Sequence, residues 1–126
     1  MTTLRGYRVL VVEDNFHLAE TLSDLLDECG CVTVGPAARV SDALSLCGND
    51  LDGALLDISL GRETSFAIAD RLTEQGVPFL FLSGYENSII PARFGNIPNL
   101  GKPYDRDKLL EVAERRFARP GRAAGR

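Results

Sequence analysis

No stretch of this 126-residue chain is apolar for long enough to cross a bilayer: runs such as residues 9–12 and 79–82 end within a few positions, and no basic-then-apolar segment opens the sequence. The expectation is a cytoplasmic protein with no membrane partner. Cysteine is scarce and odd in number. Cys29, Cys31 and Cys47 fall in patterns of half-buried positions, which argues for reduced packing thiols and against a disulfide framework or a zinc site. The single histidine, His17, falls in the first turn of an expected helix and reads as a partly exposed helix residue, neither ligand nor phosphodonor. P-loop and dinucleotide-binding glycine patterns are absent. Basic residues are few outside the C-terminus. The chain has 14 Lys+Arg against 18 Asp+Glu, and Arg115, Arg116, Arg119, Arg122 and Arg126 all follow the last acid, Glu114, so residues 1–114 carry a net charge of −9. Affinity for nucleic acid rests on neutralising phosphates with Lys and Arg, so a body this acidic excludes a nucleic-acid partner.

With 44% hydrophobic and 25% charged residues, what is present has the composition of a globular domain that can bury a core. The length suits one domain and leaves no room for an appended DNA-binding or catalytic output domain. The expected organisation is a domain over residues 1–118 and a flexible basic tail over 119–126, where Pro120, Gly121 and Gly125 accompany the arginines.

Residues 8–12 form a continuous aliphatic run, the mark of a strand buried on both faces, and it stops at Glu13 and Asp14. Asn15 can cap a helix in which Leu18, Leu22, Leu25, Leu26 and Cys29 recur at helical spacing before Gly30. A short strand over 31–34 follows, then a helix capped by Ser41 that ends near Gly48. Residues 53–57 form a third strand, again ending in an acid, Asp57. Phe66, Ala69 and Leu72 mark a third helix closed by Gly76, and residues 77–82 a fourth, wholly apolar strand. Pro91, Gly95 and Pro98 interrupt the next segment, so the fourth helix is expected to be short or mobile. A brief edge strand over 98–101 and a last helix over 104–117, with Leu109, Leu110, Ala113 and Phe117 inward, complete the chain. Five successive βα units predict an α/β fold, a doubly wound five-stranded parallel sheet of order 2-1-3-4-5 with helices on both faces.

Such sheets bind ligands beyond the carboxyl ends of their strands, where the strand order reverses, which is between strands 1 and 3. Glu13, Asp14 and Asp57 end those two strands. Two carboxylates about 4 Å apart repel by about 4 kcal/mol at an effective dielectric of 20, so three together call for a cation or a proton. Hard oxygen ligands select Mg²⁺ or Mn²⁺. Ser83 ends the fourth strand, where its hydroxyl could donate to a phosphoryl oxygen, and Lys102 with Pro103 ends the fifth.

In these motifs the chain resembles the receiver domains of two-component response regulators, the CheY-like family, over residues 7–117: Glu13 and Asp14 after strand 1, Asp57 after strand 3, Ser83 after strand 4, and Lys102-Pro103-Tyr104 after strand 5. The resemblance implies that Asp57 accepts a phosphoryl group from a sensor histidine kinase or a histidine phosphotransfer protein. It implies direct metal ligation by Asp14, Asp57 and the Ser59 backbone carbonyl, with Glu13 acting through water, while Lys102 and Ser83 hold phosphoryl oxygens. The protein would then be a signalling domain that catalyses only its own phosphorylation and slow dephosphorylation. Residues 78–85, PFLFLSGY, resemble the PFxFATGY variant subfamily, associated with kinases of the HWE and related classes.

Two positions shape the expected behaviour. Ser59, two residues past Asp57, lies where side chains in such domains steer hydrolytic water. Three residues before Lys102, where most receivers carry Tyr or Phe, this chain has Asn99. The usual aromatic coupling therefore cannot run through that position, and Ser83, Gly84 and Tyr85 with the segment 84–98 are the expected switch, its amides gaining protection on phosphorylation. Phe94 and Phe117 read as packing residues. The alternatives are a phosphorylation-independent interaction module of receiver fold and a Mg²⁺-dependent aspartyl-phosphate phosphatase of the haloacid-dehalogenase type. Ser59 opposes the second, because an acid serves there as general acid/base. A flavodoxin-like cofactor binder is disfavoured because Glu13 and Asp14 would face the cofactor's phosphate.

Overall fold

The computed structural model describes residues 4–48, 50–84 and 90–118. Its elements are β1 (Arg8–Val12), α1 (Phe16–Glu28), β2 (Val32–Ala37), α2 (Val40–Leu46), β3 (Gly53–Asp57), β4 (Ser59–Leu60), β5 (Glu63–Thr64), α3 (Phe66–Glu74), β6 (Phe79–Ser83), a 3₁₀ turn (Ala92–Phe94), β7 (Asn99–Gly101) and α4 (Arg106–Phe117). Five strands form one parallel sheet in the order β2-β1-β3-β6-β7. The two-residue strands β4 and β5 pair only with each other, as an antiparallel hairpin. With that hairpin set aside, the order is the expected 2-1-3-4-5.

Alternation along the strands explains the two helical layers. Leu10, Val12, Leu56, Phe79 and Phe81 pack toward α2 and α3, with Ala43, Ile68, Ala69 and Leu72. Val9, Val11, Leu55, Leu80 and Leu82 pack toward α1 and α4, with Leu22, Leu26, Leu109 and Phe117. Every residue of β3 and β6 is buried, as a strand covered on both faces requires. At about 25 cal/mol per Å² of apolar surface removed from water, these two layers supply the main drive for folding.

The register sets the position of the strand ends. Val12 lies opposite Leu56, and Asp57 opposite Leu82, so residues 13, 57 and 83 emerge together at the carboxyl edge of the sheet. At the opposite edge, buried Asp52 accepts the Arg8 amide at 2.8 Å and returns its own amide to the Arg8 carbonyl at 2.8 Å, fixing β3 against β1.

Several boundaries differ from the sequence expectation. β2 runs to Ala37, past residue 34, because a bulge between its Leu10 and Val12 pairings is accommodated by Gly35 at φ +91, where a Cβ would sit 2.9 Å from the Ala37 nitrogen. α2 begins at Val40, with Arg39 and not Ser41 as N-cap; no side chain caps it locally, and the Val40 amide instead reaches Glu63 Oε1 at 3.4 Å. α4 starts at Arg106, and its Leu110 is only half-buried. Where a short or mobile helix was expected, residues 90–98 contain a 3₁₀ turn held by Phe94. Its ring lies 5.7 Å from Phe66 and 5.6 Å from Phe81, and Arg93 forms a bidentate pair with Asp70. Residues 85–89, including Tyr85, and the tail 119–126 lie outside the described residues. No helix among the described residues is long and apolar enough to cross a membrane.

Candidate functional site

The carboxyl edge gathers side chains from four strand ends. Glu13 leaves β1 with its amide bonded to the Ala37 carbonyl at 2.9 Å, which ties the first loop to the end of β2. Asn15 then caps α1: its Oδ1 accepts the Leu18 amide at 3.0 Å, while its own amide donates to Glu13 Oε2 at 3.2 Å. The cap that starts the helix thus also orients the Glu13 carboxylate. Glu13 and Asp57 are 2% and 5% exposed, whereas Asp14 is exposed. One carboxylate oxygen from each of Glu13, Asp14 and Asp57 lies within 4.8 Å of the others.

Lys102 enters this cluster from the end of β7. Its Nζ lies 3.0 Å from Glu13 Oε1 and 3.2 Å from Asp57 Oδ2, and its amide donates to the Ser83 carbonyl at 2.7 Å. Burial works against the Lys102 ammonium, but Glu13 and Asp57 outweigh it and hold its pKa above that of an ordinary lysine. Burial, reinforced by the neighbouring Glu13 carboxyl and partly offset by Lys102, pushes Asp57 up to about 7. One ammonium thus pairs with two buried carboxylates, and the exposed Asp14 carboxylate lies beside them. An all-oxygen donor set with a surplus of negative charge and one exposed member suits Mg²⁺ or Mn²⁺ and offers nothing to a softer metal.

Ser83, fully buried at the end of β6, donates its hydroxyl to Asn99 Oδ1 at 2.8 Å. No local sequence pattern signals this contact, because Ser83 and Asn99 meet only through the β6–β7 register. Gly84 is an exposed bend, and Ser59 opens the β4–β5 hairpin two residues beyond Asp57, half-buried and paired with Thr64. Tyr104, next to Pro103, has a buried hydroxyl with no hydrogen-bond partner among the described residues. Burial and then the charges of Glu13 and Asp57 push its pKa to about 12. Phe16, at the start of α1 and directly after the acidic loop, is 74% exposed, with His17 exposed beside it. Periodicity gave no signal for that exposure.

The cysteines stand apart from this edge. All three are buried and free, and burial pushes the Cys31 thiol up to about 12, as expected of unreactive packing residues.

No protein-family model matches the chain, and no curated protein does. Among solved structures, the solution structure of SdrG from Sphingomonas melonis Fr1 is 32% identical, covering 88% of this chain and 94% of that one with a TM-score of 0.74. SdrG in a BeF₃-activated conformation superposes with a TM-score of 0.70. The signal receiver domain of a modulated diguanylate cyclase from Desulfovibrio desulfuricans G20 is 28% identical, covering 89% and 94% of the two chains, with a TM-score of 0.77. A CheY-like response regulator receiver domain from Methylobacillus flagellatus shares the fold at 24% identity, 87% and 98% coverage and a TM-score of 0.73.

Proposed function

This chain belongs to the response-regulator receiver family of two-component signalling, and from that membership we propose that it accepts a phosphoryl group on Asp57 from the phosphohistidine of a sensor kinase or phosphotransfer protein. The observation that carries the reading is Lys102 Nζ poised 3.2 Å from Asp57 Oδ2 and 3.0 Å from Glu13, beside the Asp14 carboxylate, where the sheet order reverses.

The Asp57 carboxylate is the nucleophile: one oxygen forms a bond to phosphorus as the phosphorus–nitrogen bond to the donor imidazole breaks, giving an acyl phosphate. Lys102 can follow the negative charge from the carboxylate to a phosphoryl oxygen with a small side-chain movement. The Ser83 hydroxyl supplies a second donor to the same group. Asp14, Asp57 and the Ser59 carbonyl would hold Mg²⁺ or Mn²⁺, with Glu13 acting through water, and the ion would offset charge on the transferring group. Ser59 is also placed in sequence to influence the water that later hydrolyses the acyl phosphate. The PFxFATGY-like segment supports a donor kinase of the HWE or a related class. The modified domain would be read by contact at the face built from the segment after β6, β7 and α4.

Incubating the protein with a small phosphodonor and Mg²⁺ should add one phosphate-sized mass to the wild type and none to Asp57→Asn. If the wild type gains nothing, the domain is an interaction module that works without modification. Continuous release of phosphate from small esters would point instead to a phosphatase.

A further inference from the structure

The hydroxyl of Ser83 has one hydrogen, and the structure shows where it goes: to Asn99 Oδ1, at 2.8 Å, from a side chain with no exposure to solvent. The same hydrogen cannot be given to Asn99 and to a phosphoryl oxygen at once. Phosphorylation of Asp57 therefore has to break this bond wherever Ser83 takes part in holding the group.

The surrounding backbone makes this a side-chain exchange and not a movement of strands. Phe81 lies opposite Asn99 and Ser83 opposite Gly101, so Asn99 and Ser83 are diagonal neighbours on one face of the β6–β7 pair. The Lys102 amide holds the Ser83 carbonyl at 2.7 Å, and the Phe81 amide holds the Pro98 carbonyl at 2.9 Å, so both backbones are pinned on either side of the contact. What can change is the Ser83 rotamer.

We propose that Asn99 is a positioning residue that acts as a latch on Ser83: it accepts the hydroxyl hydrogen in the unmodified protein and competes for it with the phosphoryl group on Asp57. This rests on the phosphoacceptor reading above. A neutral hydrogen bond is weaker than one to a charged oxygen, so the phosphoryl group wins the exchange, but the latch weakens the site's affinity for that group by roughly two- to tenfold. The broken bond also leaves the Asn99 carboxamide without its Ser83 partner, on edge strand β7. The modification would thus be signalled at position 99 through polar chemistry, with no aromatic side chain needed there.

The test uses beryllofluoride, a mimic of the phosphoryl group, with Mg²⁺ and the full chain. Its affinity is measured by ¹⁹F NMR titration for the wild type, Asn99→Leu, Ser83→Ala and the double variant. Asn99→Leu keeps the shape but cannot accept a hydrogen bond, and it should bind beryllofluoride two- to tenfold more tightly than the wild type. In the Ser83→Ala background the same substitution should change nothing, an outcome that a general packing effect at position 99 would not give. Asn99→Ala serves as a second variant should Asn99→Leu fail to fold. In the wild type, the Asn99 side-chain amide resonances should shift on saturation. Unchanged affinity in the single variant, or a gain that persists without the Ser83 hydroxyl, overturns the latch while leaving the phosphoacceptor reading intact. A wild type that binds no beryllofluoride overturns both.

Discussion

Asp57 sits where burial and the adjacent Glu13 carboxyl both oppose its ionisation, and Lys102 only partly compensates. Its folded pKa, about 7, lies above the ordinary aspartate value of 3.8, so its contribution to stability is fully present below about pH 4 and is lost as pH rises through about 7. In chelator, Asp57→Asn should therefore melt at a higher temperature than the wild type near pH 8, and the advantage should shrink toward pH 4. The expected difference is on the order of 2–4 kcal/mol, from about 1.36 kcal/mol per pH unit. Thermal melts at several pH values check it, and equal melting temperatures throughout would contradict it. Lys102→Ala should act in the opposite sense, costing about 3 kcal/mol in urea unfolding, because it strands two buried carboxylates. The identities of Glu13, Asp14, Asp57 and Lys102 were legible in the sequence because each ends a strand. The partner of Ser83 was not, since Asn99 lies sixteen residues away and is brought alongside only by the β6–β7 register.

At the scale of elements, α4 packs against the sheet through Leu109, Ala113 and Phe117, the last in close contact with β3. The ring of Phe117 lies over Gly53 at the start of β3, where a Cβ would come within 2.7 Å of ring atoms. Gly53→Ala should thus destabilise the fold by about 1–3 kcal/mol, as overpacking of a dense core does, with a matching fall in the urea midpoint. Pairing it with Phe117→Leu should recover part of the loss. Amphipathic spacing was enough to place Phe117 inward on a helix, but the strand residue it covers is sixty-four positions earlier and follows only from packing. The same applies to α2. Its N-terminus carries no local cap, and the nearby Ser41 looked like one; the amide is met by Glu63, on a hairpin too short to register as strands in the sequence. Phe94 shows the converse. Proline and glycine spacing around it gives no sign of the contacts by which its buried ring packs the 3₁₀ turn against Phe66 and Phe81.

For the whole molecule, assembly of the sheet concentrates negative charge that the unfolded chain keeps dispersed, and binding of a divalent ion to that cluster would be linked to folding. In the proposed reading, Mg²⁺ at about a hundredfold over its Kd should add about 2.7 kcal/mol to stability. Calorimetric melts with and without Mg²⁺ should show a rise of several degrees in the wild type, little in Asp14→Asn, and an intermediate response in Glu13→Gln, which is assigned an indirect contact. A wild-type Tm indifferent to Mg²⁺ would contradict the linkage. By itself, the sequence determined the layer architecture and the residue types at the strand ends, because hydrophobic period and chain breakers are local properties written in neighbouring positions. Tertiary structure alone decided which of those ends meet, how closely Lys102 approaches Glu13 and Asp57, and that the Ser83 hydroxyl donates its hydrogen bond to Asn99. Distances between residues remote in the chain are fixed by strand register and helix packing, which no local pattern encodes.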